Sequence, residues 1–400
     1  MQESNTAIHS VRRQERLKFG AYGVSFISLG LALAGLGPML PSLAENLGVS
    51  IGKISFVLTV SNLGYLIGSA GGGRLYDRFK GHRLMALALV LMAVSAVFAP
   101  LMKNFYLLLL VFLIFGFGNG LVDIGGNVNL LWVFQARVGP YMNALHFFFG
   151  VGAFLAPIVI NKVMTLSGGA ITWPFWILAL LFLPGLLGLS ILPSPANPEK
   201  KEEKGEVQKP DSKLIVLMMA LFFLYIAVEA GYGNWVFTYI TKLEIANDTV
   251  ASYINSAYWG ALTLGRLIAV PLSRKIKPGT MLVGNYVFTI LFLVVLMIWP
   301  VSPTALWIGS AGLGLALASV FPTLLALAET RMKVTGAVTG LFFLGSGSGG
   351  ILFPTLLGQV FEYVGSYQLI LALFGFACAG LVVLALMLAA SNRVGEKARG

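Results

Sequence analysis

Charge is scarce in this sequence. Only 11% of its residues are Asp, Glu, Lys or Arg, where a soluble domain carries roughly 25%, and that deficit excludes an ordinary water-soluble fold. Cysteine is almost missing as well. Cys378 stands alone, so neither an internal disulfide framework nor a cysteine-based metal centre can form. There are three histidines, and no His/Cys/Asp/Glu spacing typical of a resident metal. No nucleotide motif is present: GSGSGG (345–350) lacks the following Lys-Ser/Thr of a phosphate loop. No catalytic constellation stands out, so neither an enzyme nor a cofactor is expected. The first seventeen residues are polar and basic, and the first apolar run is too long for a cleavable signal, so none is expected. What remains is grease: 57% hydrophobic residues and a mean hydropathy of +0.85, the composition of a polytopic membrane protein.

About 20 apolar residues make a helix long enough to cross the hydrocarbon core. The hydropathy pattern predicts twelve spans, at 18–40, 51–73, 84–102, 106–134, 141–164, 172–193, 214–241, 251–273, 279–300, 303–329, 334–360 and 366–390. The one long polar interruption, PSPANPEKKEEKGEVQKPDS, reads as a flexible linker. It divides the chain into an N-terminal six-helix bundle at 1–193, a cytoplasmic linker at 194–213 and a C-terminal six-helix bundle at 214–400. The fold class expected is therefore all-α.

The net charge of +11 does not point to nucleic acid, because the basic residues alternate between loops. With the N-terminus on one side, the loops and tails of that side hold 22 Lys and Arg and the opposite loops hold 4, with Arg266 inside a span. This bias predicts that both termini and the linker are cytoplasmic. Short outer loops point to a bacterial inner (plasma) membrane, and a monomer is expected.

The halves repeat. GPYMNALHFFFGVGAFLAP from Gly139 and GAVTGLFFLGSGSGGILFP from Gly336 align at a spacing of 197 residues, pairing Gly152 with Gly349 and Pro157 with Pro354. Two related bundles are a known transporter plan, with the binding site near the midplane between the halves.

Four ionisable side chains fall deep inside apolar spans: Asp123, His146, Glu229 and Arg266. Such residues are costly in lipid and by default functional. Asp123 has Asn119 and Asn127 four residues to either side, on one helix face. A carboxylate there suits proton transfer or donates oxygens to sodium, so Asp123 is a candidate for cation coupling by H+ or Na+, with Glu229 as a second. Sodium at Asp123 is the only metal expected. In the fifth span Asn143 and His146 share a face. Around Glu229, the glycines Gly231 and Gly233 let the helix loosen, and Asn234 and Trp235 follow. An acid and an amide bond hydroxyls while an indole packs on an apolar ring face. Asn255, Tyr258 and Trp259 are cavity candidates in the next span. The expected substrate-binding set read from these residues is Asn127, Glu229, Asn234, Trp235, Asn255, Tyr258 and Trp259. Arg266 is expected to snorkel or to brace the cytoplasmic gate by pairing with a loop acid such as Asp77.

At GGRLYDRFKGHR (72–83) the chain resembles the major facilitator superfamily, whose signature is G-x-L-x-D-R-x-G-R-R. Gly73, Leu75, Asp77, Arg78, Gly81 and Arg83 supply its elements. One extra residue precedes Gly81, and His82 departs from the pattern. The resemblance implies the twelve-helix, two-bundle major facilitator fold and a cytoplasmic gate at Asp77 and Arg78. FGNGLVDIGGNVNLLW (117–132), the stretch from Gly139, EAGYGNWVFTYI (229–240) and SYINSAYWGALTLGRLIAVPLS (252–273) are similar to the fucose:proton symporter group, above all to its sodium-dependent glucose transporter branch. That resemblance implies a sugar or sugar-like small molecule carried with a cation by alternating access, and it adds Asn143 and His146, which belong to the family motif, to the expected substrate-binding set. The alternative is a proton-driven exporter of amphipathic compounds or lipids. Composition and spacing leave open which solute is carried, proton against sodium, and import against export.

Overall fold

The computed structural model describes residues 2–196, 212–332 and 336–397, and among these every regular element is helical. Helices α1 (Gln2–Leu47), α2 (Ile51–Ile54), α3 (Phe56–Arg78), α4 (Gly81–Phe98), α5 (Phe105–Phe134), α6 (Val138–Leu166) and α7 (Thr172–Ile191) precede the linker. After it come α8 (Ser212–Lys242), α9 (Asp248–Ser273), α10 (Pro278–Ile298), α11 (Pro303–Leu317), α12 (Val320–Glu329), α13 (Gly336–Gln359) and α14 (Gln368–Lys397). Most of the predicted linker lies outside the described residues, and its last two positions, Ser212 and Lys213, already belong to α8.

Eleven helical stretches among the described residues are long and apolar enough to cross a membrane. The twelfth predicted span is α9, a helix of 26 residues. It is long enough, but Ser252, Asn255, Ser256, Thr263 and Arg266 make it too polar to qualify on hydropathy. Ser252, Asn255, Ser256 and Thr263 are hidden among buried Ile254 and Leu262 while Leu264, Leu267 and Ile268 are exposed, as expected of a span whose polar groups face the bundle interior. Helix α1 runs well past the predicted 18–40, since helical propensity continues through the polar start of the chain where hydropathy gives no signal.

The described residues form two compact units. The first takes the chain up to Gly48 and from Val60 onward to the linker; the second takes Val49–Thr59 and everything after the linker. Residues 49–59 join the second unit through specific bonds. Glu362 accepts from the Gly52 N–H, Gln359 Nε2 donates to the Gly52 carbonyl at 2.9 Å, and the Thr59 and Thr355 hydroxyls lie 2.6 Å apart.

Inside each unit, glycines let helix backbones touch. In the first unit a Cβ on Gly152 of α6 would stand 2.1 Å from the Ile27 carbonyl of α1, and one on Gly116 of α5 would stand 1.9 Å from the Ser61 carbonyl of α3. In the second unit the same holds for Gly349 against the Phe223 carbonyl at 2.8 Å and for Gly314 against the Tyr258 carbonyl at 2.3 Å. Each pair recurs about 197 residues later, so the repeat is one of packing as well as of letters.

Candidate functional site

In the first unit the close approach of α3 and α5 builds one polar cluster. Gly120 has the Tyr65 carbonyl 2.3 Å from where its Cβ would be. With the backbones this near, Tyr65 Oη donates to Asp123 Oδ2 at 2.5 Å. One turn on, Asn127 Nδ2 donates to the Asp123 carbonyl at 2.9 Å and to its Oδ1 at 3.1 Å. Both carboxylate oxygens therefore accept from neutral donors. Among the described residues no lysine, arginine or histidine makes an ion pair with Asp123. With neutral partners alone, this half-buried carboxylate has no fixed cation beside it to repel an incoming one.

Asn143 and His146, expected beside this cluster, are exposed on α6. Phe26 of α1 stands edge-on to the His146 ring at 5.9 Å and packs on Gly126 next to Asn127. Its ring thus connects the two helices with an apolar surface.

Asp77 and Arg78 are exposed at the end of α3. Four residues on, His82, the residue that breaks the signature, is buried. Its Nδ1 donates to the Leu192 carbonyl at 3.0 Å, which leaves Nε2 to accept from the Tyr22 hydroxyl at 2.7 Å, and its backbone N–H donates to Ser194 Oγ at 2.8 Å. The histidine ties α1, α4 and the chain beyond α7 together, a role that shows in the signature only as a mismatch.

In the second unit α8 and α9 carry the cluster. Arg266 Nη2 lies 3.5 Å from Glu229 Oε1, with the glutamate side chain 11% exposed and the arginine 31%. Arg266 therefore neither snorkels nor reaches for a loop acid: it neutralises Glu229. Tyr258 donates to the Glu229 carbonyl at 2.8 Å, and the hydroxyls of Tyr232 and Ser310 lie 2.6 Å apart. A Cβ on Gly233 would stand 2.4 Å from the Trp259 ring, so glycine is what admits the indole against α8. Asn234 is buried, and Trp235 is fully buried with its ring stacked on Phe361 at 5.7 Å. One face of that indole is already taken.

The most telling feature is what lacks partners. Asn255 is 0% exposed, yet neither its Oδ1 nor its Nδ2 has a hydrogen-bond partner among the described residues. The same is true of Trp235 Nε1, Thr238 Oγ1, Ser252 Oγ, Ser256 Oγ and Trp259 Nε1. All seven atoms belong to α8 and α9. An unmade buried hydrogen bond costs about 1–3 kcal/mol, so such a concentration calls for water or a polar ligand. The set carries no charge and includes donors, an acceptor and hydroxyls that serve as either.

Thr238, Ser252 and Ser256 lie outside the expected set: a hydroxyl in a helix commonly bonds its own backbone carbonyl, so its spacing does not mark it as a ligand group. Tyr65 was not readable, because nothing in α3 marks it as the partner of a residue 58 positions away.

Comparison with known proteins gives three findings. The family profile described as Major Facilitator Superfamily matches residues 22–354. A sodium-dependent glucose transporter 1 from Xenopus laevis is 28% identical over 82% of this chain and 73% of its own length, and the Homo sapiens protein of that name is 27% identical over 84% and 71%. Among solved structures, a mutant of the nucleoside transporter NupG superposes with a TM-score of 0.79 at 17% identity, covering 93% of this chain and 99% of its own.

Proposed function

The chain belongs to the Major Facilitator Superfamily, and from that premise we propose that it is a symporter carrying a neutral polyhydroxylated solute, a sugar, together with a cation. It is a multi-pass membrane transporter of a small molecule and not an enzyme. The observation that carries the sugar reading is the uncharged, unpartnered polar set on α8 and α9. A sugar hydroxyl both donates and accepts, and it matches this inventory in a way that a charged or purely apolar solute does not. Glu229 and Arg266 cancel one another, which leaves that region without the net charge an ionic solute needs.

The cation reading rests on Asp123, whose carboxylate has Tyr65 and Asn127 as its hydrogen-bonding partners among the described residues. The names of the sodium-dependent relatives favour sodium over the proton. Coupling needs no more than a bias of a few kcal/mol between two conformations on ion binding. Both termini are read as cytoplasmic from the Lys and Arg bias.

Thermal stabilisation of the purified protein tests this reading, since a ligand of the folded state raises its melting temperature. The panel is hexoses, pentoses, uronic acids and amphiphiles, each with and without sodium and at two pH values. A neutral sugar whose effect requires sodium is the expected result. Dependence on pH alone makes the proton the coupling ion. Stabilisation by amphiphiles with silence across the sugars replaces the sugar reading with the exporter.

A further inference from the structure

The first unit contains a second feature, which α5 reaches at Trp132. A cleft of about 930 Å³ opens where the end of α3, the start of α4 and the chain after Ile191 meet. Its lining carries three exposed cations, Arg78, Lys80 and Arg83, against one carboxylate, Asp77. Asp77 already has an interaction of its own. The cleft therefore presents an excess of positive charge. His82 holds its floor rigid: both ring nitrogens and the backbone N–H are bonded, to Leu192, Tyr22 and Ser194.

The same cleft is lined by large apolar side chains that water should not meet. Phe79 is 59% exposed and Ile191 80%. Phe79 sits between Arg78 and Lys80 in the chain, so apolar surface and positive charge adjoin. A free phosphate has no use for the apolar wall, and a buried protein segment has no use for the cations. A molecule with an anionic head and an apolar body uses both. The cleft also lies on the face where the loops are rich in Lys and Arg, the level at which lipid headgroups meet a membrane protein.

We propose that this cleft holds the headgroup of an anionic phospholipid, with Arg78, Lys80 and Arg83 on its phosphate and Phe79 and Ile191 against the start of its acyl chains. The bound lipid joins the α3–α4 turn to the end of α7. This assignment is independent of which solute the transporter carries.

The test measures how strongly the full-length protein, purified in detergent, retains phosphatidylglycerol relative to phosphatidylcholine of the same acyl chains, by native mass spectrometry and by thermal stabilisation. The native protein prefers phosphatidylglycerol. A surface cation contributes about a five-fold attraction for anionic lipid, so Lys80→Gln with Arg83→Gln lowers that preference roughly 25-fold. Lys80→Arg with Arg83→Lys keeps it, and so does Lys162→Gln with Lys242→Gln, which removes the same charge elsewhere. If the double glutamine variant does not fold, salt titration of the native protein decides, because the preference must fall as ionic strength rises. Equal retention of the two lipids, or an undiminished preference in the double glutamine variant or at high salt, overturns the proposal. Inorganic phosphate that stabilises as well as phosphatidylglycerol and displaces it makes this a soluble phosphate site, which also overturns the lipid assignment.

Discussion

Tyr65 of α3 and Asp123 of α5 meet through a hydrogen bond of 2.5 Å from the phenol to Oδ2, made possible by the contact of Gly120 with the Tyr65 backbone. The phenol holds one carboxylate oxygen and competes there with an incoming cation. Tyr65→Phe is expected to fold and to lower the ion concentration for half-maximal uptake roughly ten-fold, the scale of one hydrogen bond to a charged group. Uptake measured against sodium concentration and against pH checks this, and an unchanged ion dependence removes Tyr65 from the account.

Glu229 and Arg266 form a pair of which the carboxylate is the more hidden member. Removing one partner strands the other charge. Arg266→Gln is expected to destabilise by about 2 kcal/mol, below the ~3–5 kcal/mol of a wholly buried pair because the arginine is partly exposed. Adding Glu229→Gln should recover most of the loss. Thermal melts of the two single variants and the double variant give the coupling, and purely additive losses would show that the pair contributes nothing.

Asn255 separates a ligand site from a structural one. Its two amide atoms lack partners, so Asn255→Leu, close in volume, is expected to leave the melting temperature of the ligand-free protein unchanged or higher. The same variant should lose the stabilisation that sugar confers. A large drop in ligand-free stability, with sugar stabilisation retained, would assign the amide to the fold.

Gly152 and Gly139 lie on one helix but in opposite circumstances. A side chain at Gly152 meets the Ile27 carbonyl, and nothing stands within 4 Å of one at Gly139. Gly152→Val should therefore destabilise by more than the roughly 1–3 kcal/mol of ordinary overpacking, because backbone cannot yield as side chains do. Gly139→Val should be tolerated. Comparable yields and melting temperatures for the two would contradict the packing described.

The sequence read the helices well, because a membrane imposes length and apolarity on each span independently of its neighbours. It also pointed to Asp123, Glu229 and Asn255, each conspicuous as a polar residue in grease. What it did not contain was register between helices. Arg266 was expected to snorkel or reach a loop acid, yet the antiparallel packing of α8 and α9 sets it on Glu229. Trp235 looked like a free ring platform until Phe361 was found stacked on it. His82 read as a flaw in the signature, although it bonds three separate segments. Each of these depends on which residues face one another across a helix pair, and hydropathy along a single helix carries no such information.

The most direct test of the central claim is uptake of a radiolabelled hexose, chosen from the thermal panel, into proteoliposomes under an imposed sodium or proton gradient, comparing the native protein with Asp123→Asn. The amide keeps the shape of the carboxylate, loses its charge and keeps one of its two acceptor oxygens. The account predicts gradient-driven accumulation by the native protein and none by the variant, while exchange of the hexose at equal ion concentrations persists. Accumulation by the variant at the native rate would contradict it.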